Sequence, residues 1–243
     1  RIEPAEVRNS LLEYPGLRDC HIAVCEKTPG NKLLVAYLTL EEDKIAAGAM
    51  QRELISDWSE FYDDLYRNAD PATDARLNLA GWTSSYTGRP ISAMAMREQV
   101  DWTVDRIRRH HPRRVLEIGC GTGLLLFRIA PICEHYLATD ISPVAVDWLQ
   151  DQIGLSEDLR HVEIFLKSAD ESMELVSNRI DAVIMNSVVQ YFPGIAYLRT
   201  VLQQAATVVA PGGIIFLGDV RSLCLWEAFQ TTVELLKAPR SMT

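Results

Sequence analysis

The sequence predicts an α/β protein with a doubly wound, mostly parallel β-sheet. From residue 113 onward, short apolar segments alternate with longer segments of helical spacing, the pattern of strands joined by crossover helices. One apolar segment runs directly into a glycine-rich turn, RVLEIGCGTGLLLF at 114–127, as expected for a strand, a tight turn and the start of a helix. With 243 residues, of which 48% are hydrophobic, the chain can bury a sizeable core.

The predicted elements of the sheet follow in a regular order. The apolar segments predict strands at 115–118, 135–140, 162–167, 180–186 and 213–219. Helical spacing predicts helices near 124–130, 143–153, 196–210 and 224–236. Because ligands bind at the carboxyl ends of strands in such sheets, the polar residues there are the candidates for a site.

The part of the chain before the sheet is predicted to form two further regions. Residues 1–42 indicate a small unit of one helix and two strands, at 20–25 and 33–40. Residues 43–111 indicate a helical cap, entered through a charged linker at 41–48 and ending in a helix at 94–110. Residues 112–243 contain the sheet, with one helix predicted after its last strand.

The cap is rich in aromatic residues. Five large side chains recur at helical spacing, and we interpret them as core-packing residues: Trp58, Phe61, Tyr62, Leu65 and Tyr66. The segment GWTSSYTGRPI at 81–91 has no clean period. It carries Trp82 and Tyr86 among serines and threonines, which makes it a candidate lid over a site.

The composition excludes several classes of function. A net charge of −9 and a pI near 5.1 give no general attraction for nucleic acid or an anionic membrane. The sequence has no signal peptide and no run of 18 apolar residues, and its five cysteines have no metal-ligand spacing. We therefore expect a cytoplasmic protein with reduced thiols and no metal site. The basic run at 106–114 is interpreted as the solvated end of a helix, with docking of an acidic partner as the alternative.

The spacing of the glycines selects among ligands. A dinucleotide fingerprint, G-x-G-x-x-G, would need glycine where Leu124 stands, and the phosphate-binding G-x-x-x-x-G-K-[ST] pattern is absent. The chain has E-x-G-x-G-x-G, with Glu117 two residues before Gly119. This segment resembles motif I of the class I S-adenosylmethionine-dependent methyltransferases, which have a Rossmann-like fold. A plain tight turn between strand and helix is the alternative.

The strand ends supply the other candidate ligands of an adenosyl cofactor. Asp140 closes the second strand and can accept hydrogen bonds from both hydroxyls of a ribose; an N-cap is the alternative, although Ser142 already supplies one. Asp170 follows the third strand, where the family holds the adenine amino group, but it could equally begin a turn. The resemblance implies a full cofactor-binding set of Tyr86, Glu117, Gly119, Gly121, Gly123, Asp140, Ile141, Asp170 and Asn186.

The later strand ends point to a narrower group. The fourth strand is followed by NSVVQYFP, which lacks the N/D-P-P-Y/F of base-modifying amino-methyltransferases. Together with GWTSSYTGRPI and IIFLGDVRS, it resembles the methyltransferase domains embedded in nonribosomal peptide synthetases, usually N-methylating ones, over residues 57–240. The class I methyltransferase fold normally continues with two further strands, so the sheet is expected to be incomplete at its C-terminal edge. The implied catalytic and substrate-facing residues are Asn186, Gln190, Tyr191, Asp219 and Arg221.

The chemistry of methyl transfer favours nitrogen as the acceptor. An α-amine titrates near pH 8, so a weak proton acceptor such as Asp219 or Tyr191 suffices. A carbon nucleophile would need a stronger base, typically histidine, yet His135 and His161 precede their strands, at the wrong end of the sheet. Asp219 and Arg221 could instead pair with each other as structure.

The N-terminal 40 residues also resemble the start of the C-terminal subdomain of adenylation domains in the same synthetases. Jointly, the resemblances imply N-methylation of an aminoacyl or peptidyl thioester held by phosphopantetheine on a peptidyl carrier protein, beside an adenylation core. Two alternatives stay open, namely C-methylation of a β-ketoacyl thioester in a polyketide-type module and a non-catalytic module that binds cofactor or docks carrier proteins.

Overall fold

The computed structural model describes residues 4–14, 17–28, 31–40, 47–68 and 74–238. The chain divides into two compact units, Arg1–Leu54 and Ile55–Thr243. The predicted linker at 41–48 lies mostly outside the described residues. Helix α2 (Ala47–Arg67) contains the point of division, and its residues from Ile55 onward belong to the second unit.

The first unit is the predicted arrangement of a helix and two strands. Helix α1 (Pro4–Leu12) is followed by β1 (Leu17–Thr28) and β2 (Asn31–Leu40), which pair antiparallel. The Arg8 guanidinium fastens α1 to β1, since it donates to the Cys20 carbonyl at 2.8 Å and to the Asp19 carboxylate at 3.0 Å. The kinship of this unit with adenylation domains stays a prediction.

The second unit is built on a five-stranded parallel sheet, which confirms the predicted fold class. Its strands are β3 (Arg114–Ile118), β4 (His135–Asp140), β5 (Val162–Leu166), β6 (Ile180–Asn186) and β7 (Val209–Gly218). Their order in space is β5-β4-β3-β6-β7. From β3 the chain therefore adds β4 and β5 on one side of the sheet, and then crosses to the other side of β3, where it adds β6 and β7. The switch lies between β3 and β6, where a crevice for ligands is expected.

Helices cover both faces of this sheet. The remaining helices are α3 (Ala93–Arg108), α4 (Leu126–Ile129), α5 (Pro143–Gly154), α6 (Ile195–Val208) and α7 (Trp226–Lys237). Side chains alternate along each strand, so Val115 joins the core formed with α3, α4 and α5, whereas Leu116 joins the core formed with α6. Both residues are fully buried, as expected for a central strand covered on two faces.

Three elements differ from their predicted bounds, the first being β1, which was predicted over 20–25 and spans Leu17–Thr28. The first four strands of the sheet agree with the prediction to within one residue, but β7 begins at Val209 and contains a register shift against β6 that accommodates Pro211. Helix α4 is only four residues long and passes into a 3-10 turn at Ala130–Ile132, which includes Pro131. The glycine turn is therefore not followed at once by a long helix.

Within the described part of the chain, none of the helices combines the length and the apolar character needed to cross a membrane.

Candidate functional site

A cavity opens at the carboxyl ends of the parallel strands in the second unit. It is lined by the glycine turn after β3 and by the residues that follow β4, β5, β6 and β7, and one side of α2 completes it. Nine of the residues predicted for the site line this cavity: Glu117, Gly119, Gly121, Asp140, Ile141, Asn186, Gln190, Tyr191 and Asp219.

The glycine turn brings the backbone against the cavity. Gly119 has a φ of +71°, and a Cβ there would lie 2.1 Å from a methyl carbon of Val188. Gly121 has a φ of +51°, and a Cβ there would lie 3.0 Å from the Tyr66 hydroxyl. Both positions therefore need glycine for their conformation and for their close neighbours.

Gly123 has a different task from the other two glycines. It does not line the cavity, and a Cβ there would lie 2.7 Å from Leu149 and 2.9 Å from Phe127. This glycine allows close packing of the turn against α5. Its predicted role in binding the cofactor stays a prediction.

Asp140 organises the turn through its carboxylate. Oδ2 accepts a hydrogen bond from the Gly121 N–H at 2.7 Å, and Oδ1 accepts one from the Ser142 N–H at 2.9 Å. Ser142 is the N-cap of α5, because its hydroxyl accepts from the Ala145 N–H. Burial raises the pKa of Asp140, while its bonds to backbone N–H groups lower it. Each carboxylate oxygen can accept a second bond, so Asp140 retains the capacity to hold two hydroxyls.

Glu117 is the most buried acid of the cavity wall. Only 3% of its surface is exposed, and Oε2 accepts a hydrogen bond from the Tyr136 hydroxyl at 2.7 Å. The pKa of Glu117 is raised to about 8, chiefly by burial, with the Tyr136 hydrogen bond lowering it and the charge of Asp140 raising it. A cationic group in the cavity would favour the ionised form of this side chain.

The end of β5 differs from the prediction in detail. Lys167, Ser168 and Ala169 line the cavity, but Asp170 does not. Its Oδ1 accepts hydrogen bonds from the Tyr197 hydroxyl at 2.7 Å and the Ser168 hydroxyl at 2.6 Å. The structure thus gives Asp170 local partners, and contact with an adenine stays a prediction.

The ends of β6 and β7 form a second polar edge. Ser187 and Asp219 line the cavity, and both have left-handed backbone, with φ of 59° and 57°. The Ser187 hydroxyl donates to Asp219 Oδ2 at 2.9 Å, and the Asn186 amide donates to the same hydroxyl at 3.2 Å. Non-glycine residues in this region carry backbone strain of about 1–3 kcal/mol each, and such strain concentrates at functional sites.

Arg221 and Tyr86 lie away from the cavity lining. The Arg221 guanidinium stands 4.6 Å from the ring centre of Phe229 and 5.5 Å from that of Trp226. Tyr86 packs edge-on against the same Phe229, with ring centres 5.7 Å apart. Arg221 therefore forms no ion pair with Asp219, and the roles predicted for Arg221 and Tyr86 stay predictions.

Helix α2 supplies an aromatic wall that sequence reasoning missed. Trp58, Tyr62 and Tyr66 line the cavity, whereas we predicted that they pack in the core. Trp58 and Tyr62 each contact Tyr191, with ring centres 4.6 and 5.5 Å apart. The three residues are spaced four apart, so they share one helix face, and two carry hydroxyls. That pattern was the available signal for a face turned toward a polar ligand.

The other members of the predicted aromatic group have separate environments. Phe61 is 55% exposed, which contradicts its prediction as a core residue. Leu65 lies against Gly81, where a Cβ would come within 2.6 Å of it. Trp82, from the predicted lid segment, lines the cavity and also packs against the apolar core.

The histidines of the sheet lie at the opposite end from the cavity. The ring of His135 hydrogen-bonds Glu163 at 3.0 Å, and that of His161 hydrogen-bonds the Ala130 carbonyl at 2.8 Å. Among the described residues that line the cavity there is no histidine. The titratable side chains at the cavity are carboxylates, tyrosine hydroxyls, the Lys167 amine and the Cys120 thiol.

Comparison with known proteins agrees with this geometry. Residues 116–215 match the methyltransferase domain family. The fold is similar to that of the N-methyltransferase NodS from Bradyrhizobium japonicum WM9 in complex with S-adenosyl-L-homocysteine, with a TM-score of 0.53 and 18% identity, over 74% of this chain and 84% of that one. The chain contains an S-adenosylmethionine-dependent methyltransferase domain.

The curated relatives of this methyltransferase are large synthetases. It is 38% identical, over its whole length, to the chondramide synthase cmdD of Chondromyces crocatus. It is 33% identical, over 94% of its length, to the beauvericin nonribosomal cyclodepsipeptide synthetase of Beauveria bassiana. The chain spans 6% and 7% of these two relatives.

The residues at the cavity fit S-adenosylmethionine, the cofactor of the methyltransferase. Gly119 and Gly121 leave room for a close approach, and Asp140 retains acceptor capacity for a ribose. Glu117 offers a buried carboxylate to the cationic end of such a molecule. The individual assignments of these residues to parts of the cofactor are proposals.

Proposed function

We propose that the methyltransferase N-methylates the amine of an aminoacyl or peptidyl thioester carried on a peptidyl carrier protein, in nonribosomal peptide biosynthesis. The synthetases to which the chain is related support the setting, as does the resemblance of its first 40 residues to an adenylation subdomain. The observation that carries the choice of nitrogen is the polar edge formed by Asn186, Ser187 and Asp219, where none of the described cavity-lining residues is a histidine.

The bound cofactor supplies a methyl group on a positively charged sulfur. The work left to the protein is to place the acceptor in line and to accept one proton, and positioning can supply most of the catalysis. The Ser187 bond holds the Asp219 carboxylate at the cavity, where it can receive the proton of the amine. Tyr191, whose ring contacts those of Trp58 and Tyr62, also lines the cavity.

The decisive test is mass spectrometry of an aminoacylated carrier protein incubated with the chain and S-adenosylmethionine. We expect a mass gain of one methyl, located on nitrogen by fragmentation. For Asp219→Asn, which keeps the acceptor for Ser187 but removes the base, we expect a loss of about tenfold or more in kcat, because general-base residues contribute at least that much. The affinity for S-adenosylhomocysteine should stay at the wild-type value.

The outcome also separates the alternatives. A methyl on carbon, obtained with a β-ketoacyl thioester, would replace the nitrogen assignment by C-methylation. Cofactor binding without transfer to either substrate would support a non-catalytic binding module. An Asp219→Asn variant with wild-type kcat would remove Asp219 from the mechanism.

A further inference from the structure

A buried acid on α2 has no place in the chemistry described so far. Asp63 is 7% exposed, and its Oδ1 accepts hydrogen bonds from the Ser142 hydroxyl at 2.5 Å and from the Val144 N–H at 3.3 Å. Val144 is in the first turn of α5, where N–H groups have no partner within the helix. Asp63 thus reaches from α2 to cap a helix some 80 residues further along the chain.

Ser142 connects this acid to the cofactor-binding edge. While its hydroxyl donates to Asp63, its N–H donates to Asp140 Oδ1. The other oxygen of Asp140 accepts from the Gly121 N–H. One short path therefore runs from α2 through Ser142 and Asp140 to the glycine turn.

The glycine turn in its turn contacts α2, one helical turn beyond Asp63. Gly121 lies beside the Tyr66 hydroxyl, which is on the same face as Asp63, three residues away. Ser59, on the preceding turn, donates to the Ile141 carbonyl at 2.7 Å. The segment of α2 that carries the aromatic wall is thus hydrogen-bonded at consecutive turns to the residues that directly follow Asp140.

We propose that Asp63 is a positioning residue that holds the aromatic wall of α2 and the cofactor-binding edge at Asp140 and Gly121 in one fixed geometry. The inference rests on the proposed assignment of Asp140 and Gly121 to cofactor binding. Loss of the Asp63 carboxylate frees Ser142 and Val144, so the end of β4 and the face of α2 can move independently. Binding of the cofactor must then also order these two elements, and the free-energy cost of this ordering lowers the affinity for the cofactor.

The neighbouring aspartate provides a matched control. Asp64 also faces Arg67, which bonds both carboxylates, at 3.3 Å to Asp63 and 3.1 Å to Asp64. The Asp64 side chain is 74% exposed and makes no bond to Ser142. Replacing Asp63 or Asp64 thus removes the same group from adjacent positions, with only one of them on the path to Asp140.

The experiment measures the dissociation constant of S-adenosylhomocysteine by calorimetry, well below the melting temperature of each variant. We expect Asp63→Ala to bind about tenfold more weakly, the size of effect expected when a hydrogen bond to a buried charged group is lost. Asp63→Asn, whose amide oxygen still accepts from Ser142, should recover most of the affinity. Asp64→Ala should bind like the wild type.

A double-mutant cycle tests the path itself. Ser142→Ala removes the bond to Asp63 but keeps the N–H that donates to Asp140, so its effect on affinity should overlap with that of Asp63→Ala and not add to it. If Asp63→Ala does not fold, Ser142→Ala alone is expected to show the tenfold loss.

The possible failures are distinguishable. A purely structural Asp63 would lower the melting temperature while leaving the dissociation constant of the folded variant unchanged, and that result overturns the inference alone. A wild-type chain that does not bind S-adenosylhomocysteine, or an Asp140→Ala variant that binds it normally, overturns the proposed cofactor site and this inference with it.

Discussion

The two polar edges of the cavity are built by different means. At the ends of β3 and β4, the carboxylate of Asp140 is buried and bonded to backbone N–H groups, so the geometry is fixed by the main chain. At the ends of β6 and β7, Ser187 and Asp219 bond each other through their side chains on left-handed backbone. The first edge suits a cofactor that is the same in every reaction cycle, and the second suits the group that reacts with it.

The largest expected effect comes from the residue at which the two edges touch. Gly119→Ala adds a Cβ 2.1 Å from the side chain of Val188, which follows β6, at a φ of +71°. We expect the free energy of unfolding to fall by about 3 kcal/mol or more, because backbone strain and overpacking add. Urea denaturation measures this loss.

Gly88 is the matched control for that substitution. Its φ is +65°, but a Cβ there meets no atom within 4 Å. Gly88→Ala should therefore cost only the conformational strain of about 1–2 kcal/mol. Equal losses for the two variants would show that the contact with Val188 adds nothing to the strain.

An effect of intermediate size is expected in the pH dependence of the free energy of unfolding, because of the buried Glu117 at the first edge. The pKa of Glu117 is raised by burial from its usual 4.5 to about 8, so the folded protein holds a proton that the unfolded chain has lost in this range. The contribution of Glu117 to the free energy of unfolding is therefore fully present below pH 4.5. It decreases as the pH rises from 4.5 to 8, by at most about 1.4 kcal/mol per pH unit.

The variant Glu117→Gln removes this titration. Between pH 5 and pH 8 its free energy of unfolding should fall less steeply than that of the wild type, while the raised pKa of Asp140 leaves some slope in both. Glu157→Gln, at a carboxylate that is 91% exposed, should keep the wild-type slope. Parallel slopes for wild type and Glu117→Gln would contradict the raised pKa.

The smallest effect concerns Arg221, beyond the second edge. Its guanidinium stacks on Phe229 and Trp226, so Arg221→Gln should lower the free energy of unfolding by about 0.5–1 kcal/mol, the usual size of an exposed cation–π contact. The affinity for S-adenosylhomocysteine should not change. Arg199→Gln, on the exposed surface of α6, serves as the control. If Arg221→Gln bound S-adenosylhomocysteine more weakly while Arg199→Gln bound it normally, Arg221 would have to contribute to the binding site.

The first edge could be predicted from the sequence because its signals are local. The apolar run 115–118, the three glycines and the acid at the end of the next strand each occupy a few consecutive positions. Parallel topology then brings the strand ends together. The predicted fold class and most strand boundaries were confirmed for the same reason.

The aromatic wall could not be predicted in the same way. Helical spacing shows that Trp58, Tyr62 and Tyr66 share a face, but it does not show whether that face meets a core or a cavity. Asp63 carries no local signal at all, since its partner Ser142 is distant in sequence and is itself explained by its N-cap role. Such long-range pairings depend on how the elements pack.

The hydrogen bonds that connect α2 to the residues beside the glycine turn also determine the smallest segment that could be transplanted with an intact cavity. The methyltransferase family match begins at residue 116, yet Asp63 and Tyr66 precede it. A swap between synthetases cut at the first strand of the sheet would leave one wall of the cavity behind in the donor. A transplanted segment therefore has to begin before α2 (Ala47–Arg67), so that the whole helix moves together with the strand ends to which Ser59 and Asp63 are hydrogen-bonded.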